Sequence, residues 1–186
     1  MRANFSAEYF AFFTIFAQNP VACAELPHSC LPLDSSAFQP ITPRFPSMQK
    51  RSPPHNKGIF YTSGGLPRAE RELAATVASK INGCIYCASV HARKASQLSK
   101  DDAAVEALLA VRPGQSLSEG QSARWQAEID FAAALSVTPP AATPLHLAAL
   151  EKEGLDTLAQ LDLVQSAAFF AWANRLMLTL GEPWFA

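Results

Sequence analysis

Two cysteines separated by two residues, with a histidine four positions after the second, lie in the segment Glu72 to His91, which reads ELAATVASKINGCIYCASVH. Helical residues three and four apart share a face, so Cys84, Cys87 and His91 form one stripe, continued by the small residues Ala88 and Ala95. That stripe is predicted to face inward. A thiol attacks as its thiolate, and an ordinary cysteine with a pKa of about 8.5 is only a few per cent ionised at neutral pH, so the surroundings must assist. Cys84 falls at the start of its helix, where unpaired amides and the helix dipole favour negative charge. Cys87 lies one turn on, within reach of His91. Either thiol is a candidate nucleophile. Glu72, twelve residues before Cys84, can return across a turn at Asn82 and Gly83 and orient the imidazole, as a third group does in triad-like sites. The spacing thus predicts a proton relay from Cys87 through His91 to Glu72. Peroxide chemistry requires an attacking thiolate, a proton for the departing hydroxide, and a second thiol that traps the sulfenic acid before further oxidation. This one segment carries all three.

The elements that hold these residues are predicted to be helices. Pro67 suits a first helical turn, and Glu70 and Glu72 lie near the positive end of a helix running to about Ile81. Asn82 and Gly83 supply a stop and a turn, after which Cys84 to Gln97 reads as a second helix. Ser99 is expected to cap a third, ending near Val111 before Pro113 and Gly114. Further helices are expected over Ser118 to Leu135, Pro144 to Lys152 and Asp156 to Leu180. The last has apolar residues on most faces, suiting central or intersubunit packing. No alternating β-branched run and no repeat is present, so residues 66–186 read as an all-α domain. Residues 1–65 differ. Nine of the 14 prolines lie in the first 67 residues, each removing a backbone donor, so an irregular segment is expected there beyond one short helix from about Ser6 to Gln18.

At 186 residues, 49% hydrophobic and 17% charged, the chain can bury a core without disulfides or metal. Its 15 basic and 16 acidic residues leave a net charge of −1, so no basic field for nucleic acid or anionic lipid is expected. No apolar run is long enough to span a bilayer, and Glu8 breaks the faint resemblance of residues 1–24 to a secretory signal. With four cysteines in two separate settings, Cys23 and Cys30 apart from Cys84 and Cys87, a reducing cytoplasm is the expected compartment.

The pattern of Arg71, Glu72 and Leu73, followed by Cys84, Cys87 and His91, resembles the AhpD-like alkylhydroperoxidase branch of the carboxymuconolactone decarboxylase superfamily. The resemblance covers about Leu66 to Gly181, where Ala173, Asn174 and Arg175 look like the family's closing helix. It implies an AhpD-like helical bundle and peroxidase activity, with no haem, flavin or other cofactor and no metal. By the same resemblance Cys87 attacks the peroxide, Cys84 resolves, and His91 and Glu72 relay the proton. The implied partners are a small-molecule peroxide, an external dithiol reductant or its carrier protein, and further copies of the chain in a trimer or hexamer. Tyr86 stands where some relatives place a histidine. The proline-rich front is a larger departure and suggests an altered start or reading frame.

Other readings stand beside this one. A lactone decarboxylase of the same superfamily would not require paired thiols, and a thiol-disulfide exchanger or redox sensor would use them without peroxide. Cys84, Cys87, His91 and Glu72 could together hold zinc, although structural sites usually pair two cysteine knuckles. His146 is expected to pack or cap a helix, Trp125, Trp172 and Trp184 to lie in the core or between subunits, and Arg175 to need a partner within its apolar helix.

Overall fold

The computed structural model describes residues 54–112 and 114–181, and within them the chain forms seven helices and no strand. They are α1 (Pro54–Tyr61), α2 (Arg68–Ile81), α3 (Ile85–Ser99), α4 (Asp102–Ala110), α5 (Ala123–Ser136), α6 (Pro144–Lys152) and α7 (Thr157–Leu180). The all-α reading holds for the described residues. The expected helix at Ser6 to Gln18, Cys23, Cys30 and Trp184 lie outside them.

Helix α2 is the axis of the bundle, with α3, α5 and α7 packed around it. Every residue from Glu70 to Ser79 is buried, and Ala74, Ala75 and Ala78 lack the bulk that would hold neighbours off. Leu66, Leu73, Val77, Leu108, Ile129, Leu150, Leu155 and Leu163 are fully or almost fully buried around it. Each such aliphatic side chain contributes about 1.5–3 kcal/mol of burial free energy.

The turn between α2 and α3 sets the register of the cysteines. Asn82 caps α2, and Gly83 takes a left-handed φ of +75°. The Gly83 N–H donates to the Lys80 carbonyl at 3.2 Å and the Cys84 N–H donates to the Ser79 carbonyl at 2.9 Å. This pairing closes a helix with two reciprocal bonds to its last carbonyls. Cys84 is also the N-cap of α3, its carbonyl accepting from Ala88 N at 3.0 Å. Its backbone is therefore fixed from both helices at once.

Helix α7 runs along α2 and is tied to it at both ends. Near the start of α2, Arg71 is 2% exposed and uses every guanidinium N–H. Its Nε donates to Leu66 O (2.7 Å), one terminal nitrogen to Ile59 O and Thr62 O, and the other to Gly64 O and Asp162 Oδ2 (2.8 Å). Asp162, on α7, also accepts the Leu66 N–H at 3.0 Å. One arginine thus fastens the end of α1, the following loop and α7. At the other end of α2, Ser79 Oγ donates to Asn174 Oδ1 at 3.1 Å.

On a different side, Arg124 of α5 grips both oxygens of Glu70 at 2.9 and 2.8 Å, approaches Glu128 Oε1 at 3.3 Å and donates to the Glu153 carbonyl. Glu128 is 1% exposed, and burial, reinforced by the neighbouring Glu70 charge, pushes its carboxyl up to about 9. It is therefore neutral at pH 7. The hydrogen bond to Glu70 raises the Arg124 pKa. Lys80, whose pKa burial lowers, reaches the Leu109 carbonyl at 2.7 Å and closes the last turn of α4.

Three boundaries differ from the sequence expectation. Within the segment expected to be irregular, residues 54–61 form α1, because Pro54 occupies the first turn, where a missing N–H costs nothing. The cap of α4 is Asp101, whose carboxylate accepts from Ala104 N. Ser99 is instead the last residue of α3, which ends at a left-handed Lys100. Likewise α5 starts at Ala123, capped by Ser122, five residues after the expected start at Ser118. The expected α6 appears with both ends as predicted, and His146 completes a capping box with Thr143.

Candidate active site

Cys84 and Cys87 occupy the N-cap and third positions of α3, and both are buried. Their shared setting is the end of the helix where amide N–H groups outnumber acceptors and negative charge is favoured. His91 follows Cys87 by one turn, placing the two Cβ atoms about 5–6 Å apart by helix geometry. The short turn makes α2 and α3 an antiparallel hairpin, and Glu72, twelve residues before Cys84, comes back opposite His91.

The returning carboxylate makes a short polar contact with the imidazole. Glu72 Oε2 lies 2.6 Å from His91 Nδ1, and both side chains are largely buried, at 3% and 15% exposure. An ionised carboxylate only accepts, so Nδ1 carries the proton and Nε2 is the basic nitrogen. The other oxygen, Oε1, is held by Arg68 at 3.2 Å, one turn back on α2. The Arg68 guanidinium lies over the Tyr61 ring at 4.0 Å. Glu72 is thus held from two sides.

Aromatic rings wall the imidazole. Phe170 of α7 meets His91 edge-on with centroids 4.0 Å apart, and Phe60 of α1 lies 5.6 Å away. Phe60 and Phe170 pack edge-to-face with each other at 5.7 Å, and Phe169 backs Phe170 at 5.3 Å. Phe60 is in place because Arg71 binds the carbonyl of the preceding Ile59. The site is therefore a polar pair in an apolar wall, beside two sulfur-bearing side chains at a helix start.

Residues 46–114 match the carboxymuconolactone decarboxylase family. The fold is similar to crystal structures of an uncharacterized peroxidase-related protein from Silicibacter sp. TM1040 and of an alkylhydroperoxidase AhpD core, an uncharacterized peroxidase-related protein from Ralstonia eutropha JMP134. Each has a TM-score of 0.59 and 25% identity, over 68% of this chain and 64% of that one. Residues 46–114 thus carry the carboxymuconolactone decarboxylase family pattern, within a fold similar to that of AhpD-like peroxidase-related proteins. The chain spans about 64% of the length of those two relatives. The fold also resembles the debrominase Bmp8, with a TM-score of 0.57 and 20% identity over 72% of this chain and 68% of that one. No curated protein matches this chain in sequence.

In this AhpD-like bundle all four residues singled out from the sequence, Glu72, Cys84, Cys87 and His91, lie on the α2 and α3 hairpin, and Glu72 and His91 touch. No group of three or more His, Cys, Asp or Glu side chains among the described residues is arranged to hold a metal ion. Among the described residues, no helix is long and apolar enough to cross a membrane. Phe60, Phe170 and Arg68 were not apparent from sequence as parts of the site. Arg175 finds its partners on the surface, in the Ala171 carbonyl and Thr138 Oγ1, and Trp172 is half-exposed.

Proposed function

We propose that this chain is a thiol-dependent peroxidase that reduces hydrogen peroxide or organic hydroperoxides through Cys84 and Cys87. The observation that carries this reading is the buried Glu72–His91 pair, 2.6 Å apart, set one helical turn beyond Cys87. The Cys87 thiol gives its proton to His91 Nε2, and the thiolate attacks the distal peroxide oxygen. The S–O bond forms as the O–O bond breaks, and the departing alkoxide or hydroxide takes the proton from His91. Sulfur is oxidised by two electrons and the peroxide is reduced to alcohol or water. The Cys84 sulfur then attacks the Cys87 sulfenic acid, and the departing hydroxide takes the proton given up by the Cys84 thiol, so water leaves as the disulfide closes. An external dithiol, or a carrier protein bearing one, reopens it by exchange. No metal, haem or flavin takes part. Phe60, Phe169 and Phe170 favour an organic hydroperoxide over a small polar one.

A cytoplasmic setting fits the need for a dithiol reductant. Exposed Leu158, Leu161, Trp172 and Leu178 on α7 support a homo-oligomer, for which the superfamily resemblance suggests a trimer or hexamer. Hydroperoxide consumption with dithiothreitol tests the reading. Wild type turns over and Cys87→Ser loses nearly all activity, whereas equal hydroperoxide consumption in both contradicts it. A second reading, reductive dehalogenation, is favoured by the fold likeness to the debrominase Bmp8, a variant of which was crystallised in complex with 2,3,4-tribromopyrrole. Dithiol-dependent bromide release from that compound, faster than hydroperoxide consumption, would favour it.

A further inference from the structure

Asn174 is fully buried in α7, and its Nδ2 has no hydrogen-bond partner among the described residues. Buried donors are rarely left so, because an unmade hydrogen bond forfeits the solvation the group had in water. The amide is nevertheless anchored, since its Oδ1 accepts from Ser79 Oγ at 3.1 Å. Its surroundings tie it to the site. Phe170, one turn before Asn174 on the same face of α7, is the ring against His91. Ser79, its anchor, holds the Cys84 N–H through its own carbonyl. Asn174 is therefore one turn along α7 from the ring against His91, and its anchor belongs to the turn that bonds the Cys84 N–H.

We propose that Asn174 Nδ2 donates a hydrogen bond to an oxygen of the bound hydroperoxide, making Asn174 a further catalytic residue. The proposal rests on the peroxidase reading above. As the thiolate attacks and the O–O bond breaks, negative charge gathers on the departing oxygen. A fixed N–H in a water-poor site stabilises that charge without having to reorganise. His91 delivers the proton and Asn174 holds the oxygen that receives it. The unused donor is the cost of a site shaped for a ligand.

The test separates the two halves of the cycle. Asn174→Asp keeps an acceptor for Ser79 and removes the donor, and Asn174→Leu removes both. Ser79→Ala leaves the donor but frees the amide to turn, and as a small change it guards against misfolding of the first two. The oxidative step is followed with cumene hydroperoxide, and the reductive step with dithiothreitol acting on chain already oxidised to the disulfide. The expected result is a fall of about a hundredfold in the oxidative rate for Asn174→Asp and Asn174→Leu and a smaller fall for Ser79→Ala, with the reductive rate within about twofold throughout. Active wild type with unchanged oxidation in all three variants overturns the proposal alone. So does an equal loss in both half-reactions, which is what a merely structural asparagine gives. Wild type that consumes no hydroperoxide overturns the peroxidase reading and this proposal with it.

Discussion

Glu72 Oε2 meets His91 Nδ1 at 2.6 Å while its other oxygen is held by Arg68, so the carboxylate fixes both the position and the tautomer of the imidazole. Replacing it with Glu72→Gln keeps the shape but removes the charge and allows the amide to present an N–H to Nδ1. Hydroperoxide turnover is expected to fall by about a hundredfold, within the range for losing a positioned acid–base group. Nitrogen NMR of His91 checks the cause, since the single Nδ1–H form of wild type becomes a mixture.

Arg71 lies immediately before Glu72 but faces the α1–α2 loop and Asp162 of α7. Asp162→Ala leaves a buried guanidinium short of its charged partner and also removes the acceptor for the Leu66 N–H. Urea denaturation is expected to show a loss of about 3 kcal/mol. Because Arg71 also holds the carbonyl beside Phe60, the variant should lose hydroperoxide turnover at temperatures where it remains folded.

Two glycines give opposite results. Gly65 has a φ of +63°, and a Cβ there would run into Asp162 Oδ2, an oxygen that already holds Leu66 and Arg71. Gly65→Ala is expected to destabilise by about 1–3 kcal/mol. A Cβ on Gly58, inside α1, meets nothing within 4 Å, so Gly58→Ala should be neutral or stabilising by up to about 1 kcal/mol. Thermal denaturation of the pair checks both.

Glu128 makes stability depend on pH in an unusual direction. Its carboxyl titrates at about 9 in the folded chain against an ordinary value of 4.5, so the folded state holds a proton that the unfolded state gives up. Its contribution is complete below about pH 4.5 and is lost progressively as the pH rises through 9, with a limiting slope of about 1.4 kcal/mol per pH unit. Glu128→Gln, which cannot ionise, should be more stable than wild type at about pH 8 and show a flatter profile between about pH 5 and 9. Denaturant midpoints across that range test it.

Sequence reading reached furthest where the geometry is local. Cys84, Cys87 and His91 share a helix, so their common face follows from spacing, and Gly83 makes the turn that brings Glu72 back. Phe60 and Phe170 reach His91 through contacts between helices distant in sequence, and one chain carries no periodic signal for such pairings. Helix starts failed for a different reason. Ser99 and Ser118 have the chemistry of a cap, but so do Asp101 and Ser122, and the choice depends on where the preceding helix or turn ends. The burial of Glu70 and Glu128 was equally hidden, since acidic residues on a helix are ordinarily solvated.

The central claim, that Cys84 and Cys87 cycle between thiols and a shared bridge, is tested most directly by one equivalent of cumene hydroperoxide added to fully reduced chain, followed by peptide mass spectrometry. The account predicts stoichiometric formation of a Cys84–Cys87 disulfide, one alcohol released per chain, and a trapped sulfenic acid at Cys87 in Cys84→Ser. Both thiols still titratable after the hydroperoxide has been mixed in, or an oxidised Cys84 with Cys87 untouched, would contradict it.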